Sequence, residues 1–131
     1  MTRKLISTGS PFEKTAGYSR AVVQDVAGAR WVFVSGTTGY DYAAMTIPDT
    51  VQEQTRNCLQ TIAKALQDAE CEMKDVVRCH YYVTDRAFVE TVFPILGETF
   101  GDIRPAATMV VCDLNEPEMK IEIEVTALKA L

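Results

Sequence analysis

The chain has 131 residues, a hydrophobic fraction of 47% and a formal net charge of −5. This length lies near the commonest domain size, so we expect one domain over residues 1–131. The acidic balance and the scattered Lys and Arg residues disfavour nucleic acid as a partner. No apolar stretch approaches the ~20 residues of a membrane span. The amino terminus turns polar at Ser7, too early for a signal peptide, so we expect a cytoplasmic protein without a membrane partner.

The cysteine and histidine content predicts neither a metal site nor a cofactor. Four cysteines (Cys58, Cys71, Cys79 and Cys112) form no C-x-x-C pair, and the single histidine is His80. A zinc site needs ligand pairs two to four residues apart. We therefore expect free thiols that are mostly buried.

The first third of the chain has the composition of β-strands. Residues 20–26 form the first predicted strand, and Gly28-Ala29 a turn. Residues 31–36 are almost continuously apolar, which is typical of a strand covered on both faces. Residues 37–48 are predicted as a loop because Gly39 and Pro48 interrupt regular structure.

A helix is predicted from Thr50 to about Glu70. Thr50 and Glu53 have the spacing of a capping box. Spacings of three and four predict one buried stripe, made of Cys58, Leu59, Ile62, Leu66 and Ala69. The predicted solvent-facing residues are Gln52, Gln54, Arg56, Gln60, Lys64 and Gln67.

The next predicted strand covers residues 76–83, with Val77, Cys79, Tyr81 and Val83 on one face. Thr84 or Asp85 can cap a second helix, whose predicted core stripe is Phe88, Val92, Phe93, Leu96 and Phe100. Pro94 predicts a kink or a restart within that helix.

Two final strands are predicted over residues 107–112 and 120–128. In the last strand Ile121, Ile123 and Val125 alternate with Glu122, Glu124 and Thr126. The predicted order is β-β-α-β-α-β-β, an α+β fold with one mixed sheet and two helices on one face. The other face then needs cover, which self-association would supply.

Four polar features are candidates for a binding site, and each has a purely structural alternative. Tyr18 and Arg20 project to the same side of a strand, although Tyr18 could simply cover the core edge. Gly36 allows close approach to the backbone or only relieves a turn. Arg104 could bind a ligand, or it could cap the second helix or pair on the surface. The proline that follows it predicts an extended backbone at Arg104.

The fourth feature is a pair of acidic residues one strand-pleat apart. Glu122 and Glu124 share one face of the last predicted strand. They form a solvated outer face, or they repel each other and one acquires a raised pKa. His80, on a strand face with Arg78, is interpreted as a packed or interfacial residue rather than a general base.

Three segments together resemble the RidA/YjgF family of reactive-intermediate deaminases. Residues 16–21 read A-G-Y-S-R-A against the family pattern G-P-Y-S-Q-A, and residues 34–37 read V-S-G-T against a strand ending S-G-Q. Residues 104–110 and 121–127 read R-P-A-A-T-M-V and I-E-I-E-V-T-A against R-P-A-R-[ST]-x-V and V-E-I-E-x-x-A. The resemblance extends over nearly the whole chain.

This resemblance implies a chorismate-mutase-like homotrimer with clefts between neighbouring subunits. Deaminating members hydrolyse enamines and imines such as 2-aminoacrylate to 2-oxo acids and ammonia. The arginine of their P-A-R motif holds the substrate carboxylate bidentately. A glutamate matching Glu122 positions or activates water, and a tyrosine matching Tyr18 and the backbone around Gly36 line the pocket.

The chain departs from the family pattern at the arginine position, which is Ala107. Phe93 stands where deaminating members often have asparagine, while Thr37 and Arg20 stand where they have glutamine. We expect these residues to line the pocket together with Arg104 and with Met109, which lies within the signature.

Three functions remain open from the sequence. The first is a hydrolase of imine-type C=N bonds with altered specificity, in which Arg20 or Arg104 replaces the lost charge and Glu122 orients water. A more apolar pocket would instead favour an aromatic or neutral ligand. The second is a non-catalytic trimer that binds a small molecule or regulates another process. The third, translation inhibition with ribonuclease activity, is the least favoured because the chain is acidic.

Overall fold

Within residues 2–131, which the computed structural model describes, six strands form one sheet. In chain order they are β1 (Thr2–Ile6), β2 (Ala21–Val26), β3 (Ala29–Thr38), β4 (Val76–Val83), β5 (Ala106–Val111) and β6 (Ile121–Ala130). Their order across the sheet is β1-β2-β3-β6-β4-β5. Only the β4–β5 pair is parallel, so the predicted mixed sheet is confirmed.

Three α-helices accompany this sheet in the described residues: α1 (Pro11–Ala16), α2 (Val51–Asp68) and α3 (Ala87–Phe100). A short 3-10 turn at Met73–Asp75 precedes β4. The α+β class and the two long helices match the prediction, while β1 and α1 were not predicted. The Ser10 hydroxyl caps α1 by accepting from the Phe12 N–H, and Gly17 ends it at φ 75°.

One face of the sheet forms the hydrophobic core with α2 and α3. The predicted stripe of α2 is confirmed, because Cys58, Ile62 and Leu66 are completely buried and Leu59 and Ala69 nearly so. Complete burial of a side chain such as Ile62 contributes about 1.5–3 kcal/mol. Thr50 caps α2 as predicted, since its hydroxyl accepts from the Glu53 N–H at 3.2 Å.

Two predicted local features are wrong in detail. The turn between β2 and β3 is Ala27-Gly28 rather than the predicted Gly28-Ala29. Ala27 and Gly28 have positive φ (52° and 78°), and Val26 pairs with Ala29 across the turn. In β4 the register against β6 shifts between Val76 and Arg78. This bulge buries Val76 and exposes Val77, the reverse of the simple alternation.

The opposite face of the sheet is open in the single chain. Phe33 on β3 is 47% exposed and stacks on Trp31 with ring centroids 5.9 Å apart. The prediction that β3 is covered on both faces is therefore wrong for one copy of the chain. An open face with paired aromatic rings is a typical surface for association.

Helix α3 runs without a restart through Pro94. Val92, Leu96 and Phe100 are buried as the spacing predicts, but Phe93 is 52% exposed and does not belong to the core stripe. No helix within residues 2–131 has both the length and the apolar character needed to cross a membrane.

Candidate functional site

A buried arginine lies where β2 begins. Arg20 is only 1% exposed, and its Nη1 donates to the Gly36 carbonyl (2.9 Å) and to the Thr37 hydroxyl (3.1 Å). Its guanidinium carbon lies 4.4 Å from the centroid of the Tyr42 ring and 5.7 Å from that of Tyr18. Both distances allow cation–π attraction. Tyr18 and Arg20 thus lie together, as the strand alternation predicts.

This guanidinium has unused capacity for hydrogen bonding. Its Nε is buried and has no hydrogen-bond partner within residues 2–131. No carboxylate of the described residues forms a salt bridge with Arg20 at 4.0 Å or less. A buried cation of this kind is stabilised when an anion reaches it.

Glu122 lies close to Gly36 because β3 is irregular at this point. The register of β3 against β6 shifts between Val34 and Thr37, and Glu122 pairs with Thr38. A methyl group added at Gly36 would lie 2.4 Å from Glu122 Oε2. Only glycine therefore allows the carboxyl group to occupy this position.

The Glu122 carboxyl group has a raised pKa. Burial is the main cause, the neighbouring Glu124 adds to it, and the charge of Arg20 acts in the opposite direction. A carboxyl group that is protonated more readily than usual can donate a proton as well as accept one.

Arg20, Gly36 and Glu122 border one cavity of about 620 Å³. Its walls are largely aromatic or thioether side chains: Phe12, Tyr18, Tyr40, Tyr42, Met45 and Met119. Asn115, Glu116 and Glu118 form an acidic rim. Tyr18, Arg20, Gly36 and Glu122 were predicted from the sequence. The other walls were not predicted, and they come from α1 and from the loops before α2 and β6.

Gln54 holds two of these walls in place. Its side-chain nitrogen donates to the carbonyls of Pro48 (2.8 Å) and Glu118 (2.9 Å), and its oxygen accepts from the Lys120 N–H (2.8 Å). The prediction that Gln54 faces solvent is wrong, since it is completely buried. The amide satisfies backbone groups of both loops, which compensates for burying a polar side chain.

The remaining predicted site residues do not line this cavity. Thr37 is buried, and its hydroxyl accepts a hydrogen bond from Arg20. Phe93 and Ala107 are exposed on α3 and on the edge strand β5, and Met109 packs against the core. Within one copy of the chain, these residues are therefore not brought together with Glu122.

Arg104 has a backbone conformation that the residue before proline rarely adopts. Its φ is 57°, in the left-handed region, and its N–H donates to the Phe100 carbonyl at 2.8 Å. The expected extended conformation is therefore wrong, because the turn that ends α3 includes this residue. The exposed side chain lies outside the cavity.

A second polar group lies on the open face of the sheet. The Tyr82 hydroxyl donates to Glu124 Oε1 at 2.6 Å, and His80 Nδ1 lies 3.4 Å from the same oxygen. The hydrogen bond to Glu124 is the main cause that raises the pKa of Tyr82 to about 12. His80 is half-buried on this open face, and its interpretation as a packed or interfacial residue stays a prediction.

The mixed six-stranded sheet with two long helices on one face defines a chorismate-mutase-like α+β protein with a cavity beside β3 and β6. Residues 8–129 match the sequence model of the family described as Endoribonuclease L-PSP. Rv2704 from Mycobacterium tuberculosis, a member of the YjgF/YER057c/UK114 family, is 38% identical in sequence. Its alignment covers 96% of this chain and 98% of Rv2704, with a TM-score of 0.84.

Two further solved structures share the fold. A putative endoribonuclease, TM0215 of Thermotoga maritima, is 28% identical over 96% of this chain and 92% of its own, with a TM-score of 0.78. The YjgF gene product of E. coli is 23% identical over 96% and 98% of the two chains, with a TM-score of 0.80. The chain belongs to the YjgF/RidA family, also described as endoribonuclease L-PSP, and the predicted membership is confirmed.

Proposed function

We propose that this protein binds a small metabolite with a carboxylate group in the cavity of Arg20 and Glu122. In this proposal it hydrolyses an imine or enamine with a specificity that differs from that of deaminating relatives, without a metal or cofactor. One observation carries the proposal: a buried guanidinium and a carboxyl group of raised pKa border the same cavity.

The two groups complement a 2-imino acid. Arg20 is a cation that borders the cavity and has no carboxylate partner within residues 2–131, so it can bind the ligand carboxylate, and Glu122 borders the same cavity and can interact with the imine nitrogen. Hydrolysis adds water to the C=N carbon, breaks the C–N bond and releases a 2-oxo acid and ammonia. Glu122 would accept a proton from the water and deliver it to the departing nitrogen.

The proposed assembly is a homotrimer in the cytoplasm. Phe33 and Trp31 on the open sheet face supply an apolar surface for a second copy. Phe93 and Ala107 are exposed in one copy of the chain, so they are free to contribute to a cleft between subunits. Molecular mass measured by sedimentation equilibrium tests this assembly, and a monomer at micromolar concentration contradicts it.

Ala107 favours a second candidate, a trimer that binds ligand without catalysis. An alanine methyl group cannot bind a carboxylate, so the clamp that the family resemblance implies is missing there. Under this alternative, Arg20 binds the ligand and Glu122 only shapes the cavity. Turnover separates the two candidates, since both predict binding.

A coupled assay tests hydrolysis directly. An L-amino-acid oxidase generates 2-imino acids from a panel of amino acids that includes alanine, and the release of 2-oxo acid is followed with and without this protein. We expect acceleration with at least one imine, and its loss in Glu122→Gln, which keeps the shape of the side chain. Ala107→Arg tests whether the family's clamp increases turnover of small imines. No acceleration with any imine refutes hydrolysis and leaves the binding candidate.

A further inference from the structure

The two ends of the cavity differ in chemistry, and this difference restricts the ligand further. At the inner end lies Arg20, 1% exposed, with an unpaired buried Nε. It is the only cation among the described residues that line the cavity. A ligand of this cavity therefore places its negative group at the inner end.

The walls outside Arg20 suit an apolar body. Phe12 is 55% exposed and Tyr18 is 37% exposed, and both border the cavity together with Met45 and Met119. Aromatic rings and thioethers pack well against a planar apolar group. A three-carbon acid whose carboxylate lies at Arg20 has no bulky apolar group to pack against these side chains.

The volume of the cavity agrees with a larger ligand. About 620 Å³ falls within the roughly 300–1,000 Å³ range of pockets that enclose molecules much larger than pyruvate. The rim carries Glu116 and Glu118, and the Glu118 carboxylate accepts from the Tyr40 hydroxyl at 2.7 Å. These charges repel a second carboxylate at the outer end of a ligand.

We propose that the cavity selects monocarboxylates with an aromatic or bulky apolar body, with the carboxylate on Arg20 and the body between Phe12 and Met119. This inference rests on the proposed function and names its substrate class: 2-imino acids from aromatic or large apolar amino acids. It differs from the clamp that the family resemblance implies, because the charge comes from Arg20, directly before β2, and not from the position of Ala107.

Calorimetric titration with three stable compounds tests this selection. Phenylpyruvate carries both features, pyruvate lacks the apolar body, and phenylacetone lacks the carboxylate. We expect phenylpyruvate to bind at least about ten-fold more tightly than either of the other two. Equal affinity for pyruvate contradicts the apolar part of the inference, and equal affinity for phenylacetone contradicts the role of Arg20. Absence of phenylpyruvate binding overturns the whole inference.

Two variants locate the ligand. Arg20→Gln should weaken phenylpyruvate about ten-fold or more and leave phenylacetone unchanged. Lys14→Gln removes the same charge from an exposed position on α1 outside the cavity and should change neither affinity. Phe12→Ala, at a half-exposed position that should tolerate truncation, is expected to weaken phenylpyruvate and not pyruvate.

Phe12→Ala also distinguishes two cavities that share Arg20. A neighbouring cavity of about 420 Å³ borders Arg20 and Tyr42 but contains Lys64 and Asp68 in place of Phe12. Unchanged phenylpyruvate affinity in Phe12→Ala overturns the proposed placement, even if Arg20→Gln does not fold.

Binding of phenylpyruvate without turnover of its imine refutes hydrolysis and keeps this selection. Rapid turnover of 2-iminopropionate, without a preference for the imine of phenylpyruvate, keeps hydrolysis and refutes this selection.

Discussion

Replacing Gln54 by leucine should destabilise the protein and loosen the walls of the cavity. The substitution keeps the volume roughly constant and removes the three hydrogen bonds to Pro48, Glu118 and Lys120. A buried backbone group left without a partner costs about 1–3 kcal/mol. Pro48 and Glu118 are not buried, so water can partly replace the bonds that their carbonyls lose, and we expect a total loss of about 2–4 kcal/mol.

Equilibrium unfolding in urea at one fixed protein concentration measures this loss, since association would make the stability depend on concentration. Gln52→Leu is the matched control, because Gln52 is exposed on the same helix and should change the free energy of unfolding by less than about 0.5 kcal/mol. A loss below about 1 kcal/mol in Gln54→Leu would refute the role assigned to this amide. We also expect weaker ligand binding in the variant, because Tyr40 and Met119 lie in the released loops.

Three further predictions concern the acidic groups near the cavity. Gly36→Ala forces Glu122 Oε2 to move by about 1 Å and should lower turnover roughly 100-fold, with little change in the urea midpoint of unfolding. Normal turnover in this variant contradicts the role of the close approach between Gly36 and Glu122. Glu122 has a raised pKa, and once it ionises its negative charge repels a ligand carboxylate, so carboxylate affinity should fall as pH rises through that pKa. In Glu122→Gln, calorimetry should find an affinity that does not depend on pH over the same range. The same pH dependence of affinity in both proteins contradicts this prediction. Burial alone would raise the pKa of Glu13, but hydrogen bonds from Thr8 and Ser7 hold this pKa below its usual value. The ionised Glu13 carboxylate therefore stabilises the fold above the pKa of the unfolded state, and this stabilisation is lost as pH falls through the pKa of the folded state. Glu13→Gln should lower the free energy of unfolding by about 1–2 kcal/mol at pH 7, and an equal loss in acid, measured by urea unfolding, would disprove the assignment.

Much of the fold could be predicted because hydrophobic spacing reports which residues face the core. The stripe of α2 and the alternation in β6 gave correct elements for that reason. The same signal failed for β1, in which only Ile6 is buried, and for α1, which has six residues. The start signal Ser10-Pro11 and the end signal Gly17 were present for α1, but short helices rarely stand out by periodicity.

The residues of the site were harder to predict because their environment comes from distant segments. Gln54 has the polarity of a solvent-facing residue, and its burial depends on backbone groups of two loops, one of which lies more than sixty positions further along the chain. Arg20 likewise depends on Gly36 and Thr37, sixteen and seventeen residues away, and on the ring of Tyr42. Sequence patterns describe one element at a time, whereas these side chains are buried by contacts between elements.

Phe93 and Ala107 show a limit of a different kind. The family resemblance predicts both in the pocket, yet each is exposed in one copy of the chain. Their place in a cleft would require a second subunit, and periodicity within one chain contains no information about that contact.

The central claim is that Arg20 supplies the positive charge that position 107 lacks. A crystal structure of the protein with bound phenylpyruvate tests this claim most directly. We expect the ligand carboxylate within hydrogen-bond distance of the Arg20 guanidinium, with the phenyl ring against Phe12 and Met119. A carboxylate bound next to Ala107 or Arg104, with Arg20 still bonded only to Gly36 and Thr37, would contradict it.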